Sequence, residues 1–127
     1  MQSITTEAAP GAVGPYSQAV RANGFLFVSG QLPIDPVTGE FAVADAPGQM
    51  RQCIANIGAI AQAAGTNIAR TVKTSVFVTD LSAFAEINAA YGEAFSAPYP
   101  ARSTFQVAAL PKGALVEVEA VIVLGED

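Results

Sequence analysis

A chain of 127 residues is the size of one domain, spanning 1–127, and buries roughly two-thirds of its unfolded surface. With 51% apolar and 13% charged residues it has little to solvate a lone monomer, so self-association is expected to hide further surface. Six basic and eleven acidic residues, a net charge of −5 and no basic cluster argue against a surface that tracks nucleic-acid phosphates.

Histidine is absent, which excludes Ser-His-Asp and Cys-His nucleophile systems and any His-based metal site. A single cysteine, Cys53, excludes an intrachain disulfide and a Cys-rich zinc site, and it fits a reducing compartment. The opening MQSITTEAAPGAVG has neither the basic nor the apolar region of a signal peptide, and no run approaches the ~20 apolar residues of a membrane helix. A soluble, cytoplasmic protein with no membrane partner is the expectation.

In chain order, Gln2 to Thr6 reads as a short edge strand, followed by a loop with two prolines and two glycines from Ala8 to Pro15. Tyr16 to Ala22 reads as extended, and Asn23-Gly24 is the strongest hairpin signal in the chain. Phe25 to Ser29 returns as a strand ending at Gly30, and Gln31 to Phe41 carries loop and turn residues. From Ala46 to Ala64 the period becomes helical, with Met50, Cys53, Ile54, Ile57, Ile60 and Ala64 on one stripe and Gly65 as the stop. That stripe makes Cys53 a core residue.

Thr71 to Thr79 alternates as a strand, and Leu81 to Phe95 reads as a second helix with Asp80 or Ser82 as its N-cap. Pro100 to Val123 then reads as two strand-like runs joined by a turn at Leu110-Pro111-Lys112-Gly113. The resulting order, β-β-α-β-α-β-β with one more N-terminal strand, predicts an α+β, two-layer domain with both helices on one sheet face. The other face is left open, and packing against further copies is the natural way to cover it.

Arg102, Thr104 and Gln106 alternate with Ser103, Phe105 and Val107, while Val116, Val118, Ala120 and Ile122 form one apolar face of the last strand. The opposite face carries Leu115, Glu117, Glu119, Val121 and Val123. The open face is expected to hold Arg102 and Glu117 in one row. Arg102 can grip a ligand carboxylate through two parallel charge-assisted hydrogen bonds, or serve only as a surface partner of Glu117 or Glu119. Glu117, among apolar neighbours, suits the activation of a water if burial raises its pKa; the plainer alternative is an exposed strand residue, with Glu119 as structural control. Tyr16 follows Gly14-Pro15, which could aim its hydroxyl into a cleft or simply pack it. Ser29-Gly30 either lets a ligand approach the backbone or marks a strand-ending turn. No phosphate-binding or dinucleotide-binding glycine pattern is present.

The phrases GPYSQAV (14–20), FLFVSGQLPIDPVTGE (25–40), VKTSVFVTDLSAFAEINAAY (72–91) and PARSTFQVAALPKGALVEVEA (100–120) together resemble the RidA (YjgF/YER057c/UK114) family of reactive-imine deaminases, end to end. The resemblance implies a chorismate-mutase-like α+β fold and a homotrimer whose sheets form an inner barrel, with active sites in the clefts between subunits. It implies 2-iminobutanoate/2-iminopropanoate deaminase activity with no metal or organic cofactor. It assigns the carboxylate grip to Arg102, the water-positioning role to Glu117, the cleft tyrosine to Tyr16, and substrate contacts to Ser29, Gly30, Asn88 and Thr104. Thr104 stands where the family commonly has cysteine, which removes thiol chemistry there. The metabolic partners it implies are pyridoxal-phosphate-dependent dehydratases, which release such imines. The competing readings are a non-catalytic, trimeric small-carboxylate-binding or chaperone-like protein and, least favoured by the acidic balance, a ribonuclease.

Overall fold

The Asn23-Gly24 pair turns the chain with φ of 57° and 84°, the left-handed values a two-residue hairpin needs. It joins β2 (Ala19–Ala22) to β3 (Phe25–Gln31), and β1 (Gln2–Ile4) pairs along the outside of β2. The computed structural model describes residues 1–125. The stretch from Tyr16 to Gln18, predicted as extended, stays outside the strand, and Tyr16 and Gln18 line the cavity of the candidate active site.

Helix α1 (Ala46–Ala63) starts at Asp45, whose carboxylate accepts a hydrogen bond from the Gly48 amide, with Pro47 in the first turn. It stops at Gly65, where φ is +85°. Its predicted stripe is buried, from Met50 to Ile60. β4 (Thr71–Val78) follows, then a 3-10 turn over Leu81–Ala83 and α2 (Phe84–Gly92). The second helix is therefore shorter than predicted and divided. The Asp80 side chain, the cap in place of Ser82, accepts from the Ser82 amide two residues on and tightens the opening turn.

β5 (Ala101–Gln106) and β6 (Val116–Val123) complete a six-stranded mixed sheet in the order β1-β2-β3-β6-β4-β5. β4 and β5 are parallel, joined by α2, and every other pairing is antiparallel. The two C-terminal runs are thus not sheet neighbours. β4 lies between them, and the Pro111–Gly113 turn carries the chain past its end, where the Thr79 amide donates to the Leu115 carbonyl.

Both helices cover one sheet face, where Leu26, Val28, Val76, Val78, Val116, Val118 and Ile122 pack against Met50, Ile57, Ile60 and Ile87. Each such side chain contributes about 1.5–3 kcal/mol by leaving water. The opposite face is open, and Phe25, Phe27 and Phe105 on it are 39%, 44% and 52% exposed. Among the described residues, no helix is long and apolar enough to cross a membrane.

Candidate active site

The site begins with an irregularity in β3. Val28 pairs with Ala120 but Gln31 pairs with Val118, so two residues, Ser29 and Gly30, stand opposite the single Glu119. This bulge lets Val28 and Gln31 both turn to the core, and both are buried. It also brings the Gly30 backbone against Glu117. A Cβ at position 30 would lie 3.0 Å from the Glu117 carboxyl carbon and 3.1 Å from its Oε2. A side chain there would crowd the Glu117 carboxyl, and Ser29-Gly30 is a bulge within the strand, not its end.

Ser29 is turned toward the N-terminal loop. Its hydroxyl donates to the Ser17 carbonyl at 2.6 Å, and its amide donates to the Gln18 carbonyl at 3.0 Å. Gln18 in turn is 3% exposed and holds that loop. Its Nε2 donates to the carbonyls of Thr6, Ala9 and Pro10, and its Oε1 accepts from the Thr6 amide. Tyr16, half exposed, accepts a long hydrogen bond at its hydroxyl from the Val13 amide, 3.4 Å away. Loop, bulge and β6 enclose a cavity of about 820 Å³, lined by Tyr16, Ser29, Gly30, Phe77, Glu117 and Glu119 among others.

Glu117 is half-buried in this cavity. Loss of water around its carboxyl, and secondarily the charge of Glu119, raise its pKa above the ordinary glutamate value. Among the described residues, no hydrogen bond or ion pair holds that carboxylate. Its raised pKa and its aim into an open cavity suit a proton acceptor for a bound water. Cys53, by contrast, is fully buried beneath β6, and burial pushes its thiol well above the usual range. It is a core residue.

A second cluster lies on the other side of the sheet. Arg102 is in register with Thr74, which is in register with Ala120, and these two are buried beneath the helices. Its Nη1 donates to Asn88 Oδ1 at 2.7 Å, and its guanidinium carbon lies 4.8 Å from the centre of the Tyr91 ring and 5.6 Å from that of Phe84. The Tyr91 hydroxyl and Thr74 Oγ1, 2.7 Å apart, fix that ring. These contacts hold the guanidinium in place, with donors left for a ligand. Thr104 sits one turn of the pleat further on, its hydroxyl buried and without a hydrogen-bond partner among the described residues.

Arg102 and Glu117 therefore do not share a face, contrary to the expectation from sequence. Phe77 of β4 pairs with both Glu117 and Phe105, which puts those three on the open face. Arg102 is three residues from Phe105, an odd number, so it points to the helices. The structure also removes the plain alternative of an Arg102 pair with Glu117 or Glu119. It brings Tyr16, Ser29, Gly30 and Glu117 together in one group and Arg102, Asn88 and Thr104 in another. Among the described residues, no three His, Cys, Asp or Glu side chains stand close enough to hold a metal ion.

Residues 6–124 match the family described as Endoribonuclease L-PSP. The RutC family protein y4sK of Sinorhizobium fredii is 60% identical over 124 residues, 98% of each chain. The 2-iminobutanoate/2-iminopropanoate deaminase of Escherichia coli is 48% identical over 126 residues, 96% of this chain and 97% of that protein. The crystal structure of RidA from the Antarctic bacterium Psychrobacter sp. PAMC 21119 is 46% identical, with a TM-score of 0.92 over 97% of this chain and 99% of that one. The chain belongs to the RidA family.

Within this RidA-family chain, Phe77, Gln18 and Lys112 line the cavity without standing among the residues expected there. Phe77 was visible as an outward position of an alternating strand, but its place beside Glu117 depends on register. Gln18 carries a signal only in hindsight, as the one amide in a run otherwise small or apolar after Tyr16. Lys112 reads from sequence only as part of the turn at Leu110-Pro111-Lys112-Gly113. Glu119, expected as a structural control, lines the same cavity as Glu117 and raises its pKa.

Proposed function

We propose that this protein is an enzyme hydrolysing reactive 2-imino acids, with 2-iminobutanoate and 2-iminopropanoate as the type substrates, to 2-keto acids and ammonia. In this reading it works in the cytoplasm as a homotrimer of one-domain chains, with each active site shared by two subunits. The observation that carries the proposal is the division of the site. A carboxylate suited to activating water opens on one sheet face, and a guanidinium suited to gripping a carboxylate is held on the other. Neither half can complete the chemistry within its own chain. The apolar open face, with three exposed phenylalanines, supports association that would bring the Arg102 half of one subunit to the Glu117 cavity of the next. The deaminase relative supports the substrate class.

In the proposed site Arg102 binds the substrate carboxylate with a charge-assisted fork, and Asn88, Tyr91 and Phe84 keep the fork in place. Tyr16 and the backbone at Gly30 and Thr104 orient the imine end. A water held by Glu117 adds its oxygen to C2 of the protonated imine as Glu117 accepts the proton. Glu117 returns that proton to nitrogen, the C2–N bond breaks, and the hydroxyl proton passes to solvent, leaving the keto acid and ammonia. Positioning and modest acid–base help suffice for a bond this reactive. The scheme calls on no cofactor. The imines would come from pyridoxal-phosphate-dependent dehydratases acting on hydroxy amino acids.

The test is subunit complementation. Arg102→Ala and Glu117→Gln are each expected to be inactive in keto-acid release from an imine generated by a dehydratase in amine-free buffer. Unfolded together and refolded as mixed oligomers, they should recover about a quarter of the wild-type rate, because random assembly leaves that share of shared sites intact. No recovery, with mixed oligomers demonstrated, sinks the shared site. A folded, oligomeric wild type that accelerates no imine hydrolysis sinks the enzyme reading in favour of a small-carboxylate binder.

A further inference from the structure

Lys112 is the only lysine or arginine among the described residues that line the Glu117 cavity. Its backbone is at φ +59°, ψ 20°, a left-handed conformation that glycine adopts freely and a lysine adopts at a cost. The sequence nonetheless carries a lysine at this turn, directly before a glycine that is itself left-handed. Among the described residues, its ammonium makes no hydrogen bond or ion pair, and the one salt bridge, Arg51 with Glu93, lies at the helices. The cavity's other charges are Glu117 and Glu119, also without partners. A cavity with two carboxylates, in a chain of net charge −5, repels an anion. Arg102 offers no relief within the chain, because it stands on the opposite face of the sheet.

We propose that Lys112 is a substrate-recognition cation. Standing at the cavity wall, its ammonium attracts the anionic 2-imino acid, setting its affinity without entering the chemical step. The inference rests on the deaminase reading for the identity of the substrate, but its electrostatics apply to any small 2-oxo or 2-imino carboxylate.

The experiment compares wild type with Lys112→Gln, Lys112→Arg and Lys112→Gly in two assays: keto-acid release, and calorimetric binding of 2-oxobutanoate, each at low and high salt. Lys112→Gln should raise KM and the Kd for 2-oxobutanoate about three- to tenfold at low salt with kcat unchanged, the mark of lost uniform binding. The gap should narrow as salt screens the charge. Lys112→Arg should behave as wild type. Lys112→Gly, which relaxes the left-handed backbone, should lose as much as Lys112→Gln, assigning the effect to charge. A wild-type KM and Kd in Lys112→Gln at low salt overturns the proposal, as does an equal loss in Lys112→Arg. Lys112-dependent binding by a wild type that releases no keto acid would leave this inference standing and remove the deaminase reading. A wild type that neither binds nor reacts removes both.

Discussion

Replacing Gly30 by alanine isolates the bulge's contribution to the chemistry. Gly30 is not among the glycines with positive φ, so the backbone accepts a side chain without strain. The added methyl would stand 3.0 Å from the Glu117 carboxyl carbon and 3.1 Å from Oε2, closer than ordinary contact. Glu117 is half-buried beside an open cavity, so its side chain can move by a few tenths of an ångström, and stability should change by less than about 1 kcal/mol. The carboxylate would then no longer hold water at the reacting carbon. Displacements of this order cost roughly 10–100-fold in kcat, with KM little changed because the Arg102 grip lies elsewhere. The methyl also strips water from a carboxyl whose pKa burial already raises. The acid limb of the rate profile, where activity falls as Glu117 protonates, should move to higher pH. Keto-acid release followed across pH, beside urea denaturation of the same samples, measures both effects. A variant with wild-type kcat and an unshifted limb would refute the argument that the bulge positions Glu117.

Arg102→Lys keeps the charge but loses the planar fork that bonds Asn88 and lies over Tyr91 and Phe84, so kcat/KM should fall about 10–100-fold. A decrease smaller than twofold in steady-state assays would show that a point charge is sufficient. Glu117 has a raised folded-state pKa, so its contribution to stability is full below the ordinary value of 4.5 and is lost as pH rises through the folded pKa. Glu117→Gln removes that loss: denaturation should find variant and wild type alike at about pH 4 and the inactive variant more stable at about pH 8. Equal stability at the higher pH would contradict the assigned burial. Gln18→Glu replaces a donor to three carbonyls by a carboxylate facing them and should cost about 2–4 kcal/mol in urea unfolding. An unchanged midpoint would show that the N-terminal loop is held by other contacts.

Local periodicity and turn chemistry made much of the architecture legible from the sequence. The Asn23-Gly24 hairpin, the α1 stripe from Met50 to Ile60, the alternation in β4 and β6 and the open sheet face are all present. Each depends on residues within a few positions of one another. Strand alternation and loop chemistry offered Arg102, Glu117, Tyr16 and Ser29-Gly30 as candidates, the family resemblance added Asn88 and Thr104, and the structure gathers them into two clusters. Three matters lay beyond local sequence. The Ser29-Gly30 bulge is a two-against-one count between strands almost ninety positions apart, and no pattern within β3 records it. The place of β4 between β5 and β6 breaks a pairing that their adjacency in sequence suggested. The face that Arg102 occupies follows from that insertion. Alternation shows which residues of a strand share a side, but only the register through Phe77 decides which side of β5 matches which side of β6. A shift of one residue would have turned Arg102 to the face that holds Glu117. Instead the sheet separates cation from carboxylate, because side-chain parity is a local property of each strand and its alignment between strands is a tertiary one.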